Sequence, residues 1–303
     1  MKQPIPVRLK SFLVCASLAT SLAACATPAA APVPAPAQPA ALAPTTAPQV
    51  PELAIEFTGT EFKLPADVPG GIVAVTVNNT SGKPMAITML RLRPGKTADE
   101  MLKWYEETPL DFASGSQLAS VIFSLSAISP GDPEGLIADL KTGEFLLDAT
   151  EPADGPPSTD VKYITHTFTA DKAVGTTEPK ADVTAEMNDF AFVMPDEIKA
   201  GKQMWRVSNT GKQFHLMLVL KPNENVNPEA VVKAMMDETQ SGAPPFEVVT
   251  EVAPMGDGQQ QWVEVDLPPG TYVVVCPVPD VNATGGPPVS HLAHGMHKTL
   301  VVK

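Results

Sequence analysis

The chain has 303 residues, 44% of them hydrophobic, enough for two ordinary domains each with a real core. Its 21 Lys and Arg stand against 34 Asp and Glu, a net charge of −13, which argues against nucleic acid or anionic lipid as the main partner because nothing would neutralise phosphates. A small-molecule, metal or protein partner is left.

The N-terminus carries a positive stretch (Lys2, Arg8, Lys10) and then a short apolar run, SFLVCASLATSLAA, too short to span a bilayer as a mature helix. This is the pattern of an export signal over residues 1–24. The run closes on Leu22-Ala23-Ala24-Cys25, which resembles the lipobox of bacterial lipoproteins, where cleavage precedes a cysteine that is then acylated. That resemblance implies a lipid anchor on Cys25 and a place in the cell envelope. Ala26 after the cysteine implies the outer membrane, facing the periplasm. Residues 25–50 are rich in Ala and Pro and read as a semi-rigid, polyproline-like tether.

Cysteine usage then becomes informative. With Cys15 in the removed peptide and Cys25 lipidated, Cys276 alone is left as a thiol. In an oxidising compartment it is a buried inert residue, a ligand or a reactive thiol.

Past the tether the sequence repeats at an offset of 130 residues. FKLPADVPGG (62–71) falls on FVMPDEIKAG (192–201), and Asn79-Thr80 on Asn209-Thr210. With small insertions DLKTGEFLLDA (139–149) matches DLPPGTYVVVC (266–276). A period this long means duplicated domains, expected at 51–173 and 181–303.

Each copy reads mostly as strand. GIVAVTVNN, QMWRVSN, HLMLVLK, QWVEVDL, TYVVVCP and KTLVVK are β-branched-rich runs bounded by turn residues. QWVEVDL alternates, with Val263, Val265 and Leu267 on one face and Glu264 and Asp266 on the other. One helix is expected in each copy. The first is opened by the capping box Thr97-Ala98-Asp99-Glu100; the second by Asn227, with Pro228 in its first turn. The fold class expected is all-β, two tandem Greek-key β-sandwiches, each with a short inserted helix.

The second copy resembles a cupredoxin, the plastocyanin and azurin family of copper-binding sandwiches. NDFAFVMPDEIKAGKQMWRVSNTGKQFH resembles the opening strands and the Asn-containing turn that deliver a first histidine, here His215. LPPGTYVVVC resembles the strand that delivers a cysteine, here Cys276. HLAHGM resembles the end of the ligand loop, with His291 five residues before Met296. The resemblance implies one copper per chain in the second copy, held by His215, Cys276, His291 and Met296, with His294 as an accessory candidate. A thiolate, two imidazoles and a weak axial thioether accept both copper oxidation states.

The sequence departs from the family in the fourteen residues, Pro277 to Ser290, between the cysteine and the second histidine. The first copy keeps none of the ligands: Met85, Ala149, Thr159 and Ile164 fall at their positions. His297 and His166 read as surface residues. The chain is expected to be a membrane-tethered type 1 copper electron carrier with a redox partner protein. Copper storage or delivery, or a metal-free interaction module, are the alternatives. Laccase-like and nitrite-reductase-like sites need more histidines than the five present, so no enzymatic activity is expected.

Overall fold

The computed structural model describes residues 50–108, 111–152, 161–237, 242–283 and 289–303. The signal, the lipidation candidate Cys25 and nearly all of the tether lie outside them, as does Thr159.

The first half runs β1 (Glu52–Phe57), β2 (Phe62–Lys63), β3 (Gly70–Asn79), β4 (Met85–Leu92), α1 (Ala98–Glu107), α2 (Phe112–Leu118), β5 (Ala119–Ile128), β6 (Glu134–Asp139), β7 (Gly143–Thr150), β8 (Ile164–Ala170) and β9 (Ala173–Gly175). The second runs β10 (Val183–Asn188), β11 (Ala191–Val193), β12 (Glu197–Ile198), β13 (Gly201–Asn209), β14 (His215–Pro222), α3 (Pro228–Met236), β15 (Phe246–Met255), β16 (Gln260–Leu267), β17 (Gly270–Val275) and β18 (His297–Val302). The 130-residue offset survives in the register: β1 runs parallel to β3 with Leu53 opposite Val75, and β10 parallel to β13 with Val183 opposite Trp205.

Each half is a β-sandwich. In the second, β12-β18-β17-β14-β15 faces β11-β10-β13-β16; in the first, β5-β4-β7-β8 faces β6-β3-β1-β2. The layers close because inward residues alternate along each strand, as in β16, where Val265 and Leu267 are buried and Glu264 and Asp266 exposed. Phe57, Val77, Met89 and Phe145 lie in one core, Trp205, Met217, Val274 and Leu300 in the other.

Two features lie beyond the sequence reading. The first half has a second helix, α2, whose Gly115 sits where any Cβ would be 2.7 Å from the Trp104 ring of α1. The inner sheets of the two halves also join edge to edge: β16 pairs with β6 through Gln261–Ala138 and Trp262–Ile137, making one nine-stranded sheet. The joined edges satisfy backbone groups that would otherwise be left open. Beside the seam Arg93 makes a two-pronged ion pair with Asp257, at 2.6 and 3.2 Å.

Both helix starts form as expected. Thr97 Oγ1 accepts the Glu100 N–H at 3.2 Å while Glu100 Oε2 accepts the Thr97 N–H at 2.9 Å, and Asn227 Oδ1 accepts the Ala230 N–H at 2.8 Å.

Candidate metal centre

One corner shapes both halves. Asn79 Nδ2 donates to the carbonyls of Lys83 and Ile128, both at 2.7 Å, and Asn209 Nδ2 to those of Gln213 and Met255 at 2.7 and 3.0 Å. The buried amide cross-links the turn ahead of β4 or β14 to the end of the neighbouring strand. In the second half this corner delivers His215 as the first residue of β14.

Cys276 follows β17 directly, and the loop after it is pinched at its base. Pro279 and Ser290 form a β-bridge, Asp280 N–H donates to Val289 O at 2.7 Å, and His291 N–H donates to Val278 O at 2.7 Å. These pairings at the base return His291 to the cysteine. A turn over residues 291–295 follows, in which Met296 N–H donates to His291 O at 2.9 Å and Cys276 N–H to Met296 O at 3.2 Å.

Three donor atoms meet there. His215 Nδ1 and His291 Nδ1 are 3.0 Å apart, and Cys276 Sγ lies 3.9 Å from the first and 3.5 Å from the second. A metal about 2.0–2.3 Å from each of three ligands in a plane sets them roughly 3.5–4 Å apart, so the triangle accepts one with little adjustment. All three side chains are fully buried. Among the described residues they form the sole cluster of at least three metal-binding groups, and it constitutes a candidate copper site. Met296 is fully buried in the same core cluster as Cys276. His294 lies outside the triangle, with Nε2 3.2 Å from Asp280 Oδ2, and His297 is exposed on β18.

The residues behind the histidines were not singled out by sequence reasoning. His215 Nε2 lies 3.2 Å from Asp189 Oδ1, which also accepts the backbone N–H groups of Lys212 and Gln213. His291 Nε2 lies 3.2 Å from Oε1 of buried Gln213. Both partners are oxygens that can only accept, so these hydrogen bonds assign the proton to Nε2, which donates, and leave the Nδ1 lone pair for the triangle. The internal repeat held the signal that would have found them, because Asp189 and Gln213 fall on Gly59 and Lys83 of the first half. Gly211, falling on Ser81, is small for a reason: a Cβ there would lie 2.3 Å from Asp189 Oδ1 and 2.9 Å from His215 Nε2.

Burial sets the electrostatics. It pushes the Cys276 thiol up to about 11, against the N–H groups of Leu216 and Val278 that bond its sulfur. Burial, then the neighbouring His215, drive His291 down to about 4, and burial lowers His215 against the pull of Asp189. Without a cation the site holds a neutral thiol and two neutral imidazoles. In the first half Ala149 and Met85 are buried apolar residues at the corresponding positions, and Ile164 lies opposite Ala149 on β8.

No model of a known protein family matches the chain, and no curated protein does. Solved structures do. A dithionite-reduced auracyanin from the photosynthetic bacterium Roseiflexus castenholzii is 20% identical, over 40% of this chain and 94% of its own, with a TM-score of 0.28. A multicopper oxidase is 13% identical over 83% of this chain and 88% of its own, with a TM-score of 0.22. The copper-containing nitrite reductase of Thermus scotoductus SA-01 is 12% identical over 83% of this chain and 61% of its own, also with a TM-score of 0.22. The expectation of no enzymatic activity is corrected by the last two, since both are enzymes matched across both halves of the chain.

Proposed function

We propose that the chain is an extracytoplasmic electron-transfer protein whose second half would hold one type 1 copper through His215, Cys276 and His291, with Met296 as a further ligand. The observation that carries this reading is the convergence of two Nδ1 atoms and one Sγ within 3.0 to 3.9 Å inside a sandwich. Bound copper supplies one-electron chemistry. The protein's part is to hold the ligands still: β14 and the end of β17 fix His215 and Cys276, the pinched loop base fixes His291, and Asp189 and Gln213 hold both imidazoles in the Nδ1-free tautomer. Full burial keeps water from the site and favours the less charged, reduced state.

The test is copper titration of the purified chain. One equivalent is expected to produce an intense thiolate-to-copper absorption near about 600 nm that bleaches and returns on reduction and oxidation, and that Cys276→Ser removes. Copper bound with no such band would sink the reading.

We further propose that Cys25 is lipidated and tethers the protein in the envelope, on the strength of Leu22-Ala23-Ala24-Cys25 behind a positive, apolar leader. Among the described residues no helix is long and apolar enough to cross a membrane. Fatty-acid labelling that persists in Cys25→Ser would refute the tether.

A further inference from the structure

Neither histidine of the triangle reaches solvent. Both are fully buried, and each has its second ring nitrogen committed to an internal acceptor, Asp189 or Gln213. Yet one aromatic chain runs from the site to the surface. Phe190 meets the His291 ring edge-on, with centroids 5.2 Å apart at 77°, and packs on the His294 ring at 4.4 Å. His294 is 37% exposed and is held in place by Asp280, whose carboxylate lies 3.2 Å away.

Phe190 is held there against its own preference. Asp189 and Phe190 are the two residues between β10 and β11, and Phe190 has a φ of +68°, where glycine or asparagine is the usual occupant of a tight hairpin. A bulky residue in the left-handed region marks a place where the surroundings impose the conformation, and such places cluster at functional sites. The same two-residue turn sends Asp189 to His215 and Phe190 to His291.

We propose that Phe190 and His294 form the electron outlet of this centre, and that the exposed His294 edge is where a cationic one-electron donor or acceptor makes contact. This rests on the copper reading above. The preference for a cation follows from the chain's net charge of −13, from the Asp280 carboxylate beside His294 and from Asp189, the residue before Phe190 in the same turn. In the step an incoming complex such as hexaammineruthenium(II) loses one electron to become ruthenium(III) and copper(II) becomes copper(I), with no proton or bond exchanged.

Two measurements on the full copper-loaded chain test it. Stopped-flow reduction by hexaammineruthenium(II) is expected to slow by about tenfold or more in His294→Ala, the lower end of what a focused contact site gives, and to stay unchanged in His297→Ala, with the absorption band intact in both. Redox-inert hexaamminechromium(III) added to the reduced protein is expected to broaden the NMR signals of His294 and its neighbours before those of other surface residues. Unaltered reduction of His294→Ala, or broadening centred elsewhere, overturns the outlet while leaving the copper reading intact. A wild-type chain that binds copper without the absorption band overturns both.

Discussion

Gln213 and His291 lie 3.2 Å apart, Oε1 to Nε2, with the glutamine 4% exposed, and the same Oε1 accepts the Val281 N–H at 2.8 Å. One side-chain oxygen thus ties the insertion after Cys276 to the histidine which that insertion must return. Replacing Gln213 by Leu leaves the Nε2 proton and the Val281 N–H without a partner. Copper affinity measured by chelator competition should fall about 10- to 100-fold, the usual cost of losing a group that orients a ligand. Gln213→Glu, which still accepts both bonds, should recover most of it; equal loss in both variants would mean that Gln213 acts through packing alone.

Gly211→Ala tests the other histidine. The new methyl would stand 2.3 Å from Asp189 Oδ1, so the hairpin turn at 189–190 must move away from His215. A loss of roughly 1–3 kcal/mol in denaturant unfolding is expected from the overpacking, together with a shifted copper spectrum. A spectrum identical to the wild type would show that the Asp189 contact does not set the site.

Metal uptake should carry a defined proton count. In the metal-free protein burial pushes the thiol up to about 11, drives His291 down to about 4 and lowers His215 below the ordinary histidine range, so from neutral pH up to about 11 the site enters binding with one proton to lose, from Cys276. Affinity should rise about tenfold per pH unit through that window, and calorimetry in buffers of different ionisation heat should report one proton released per copper. Release of two protons near neutral pH would contradict the neutral imidazoles.

The first half has a pH dependence of its own. Asp148 is buried, accepts the Tyr105 hydroxyl at 2.6 Å, and is pushed by burial to about 7. Its folded value lies above the unfolded one, near about 3.9, so the contribution it makes is complete below the unfolded value and is lost as pH rises through about 7. Melting temperature should decline for the wild type between these pH values and much less for Asp148→Asn. Parallel curves for the two proteins would exclude Asp148 as the cause.

Much of this was legible in the chain. The alternation in QWVEVDL, the capping residues Thr97 and Asn227, and the recurrence of Asn79 as Asn209 each report a local rule of strand, helix or turn, and such rules act through near neighbours. The offset also separated a copy rich in ligand-type residues from one without them. Asp189, Phe190 and Gln213 escaped notice because nothing in their local sequence distinguishes them from ordinary turn and edge residues. The second helix of the first half escaped for a related reason: FASGSQL has no apolar period, and it is held by Asp111 capping and by Gly115 against Trp104.

The sequence by itself determined the all-β class and the residue types offered to a metal, because periodicity and ligand chemistry are properties of short segments. Only the tertiary structure decided whether those residues meet. Fourteen residues between Cys276 and His291 have too many conformations for spacing to fix an end-to-end distance. Pairing at the loop base, between Pro279 and Ser290 and between Val278 and His291, brings the two ends within 3.5 Å of each other at Sγ and Nδ1. The burial that then closes over them leaves Phe190 and His294 as the aromatic contact between the centre and the surface.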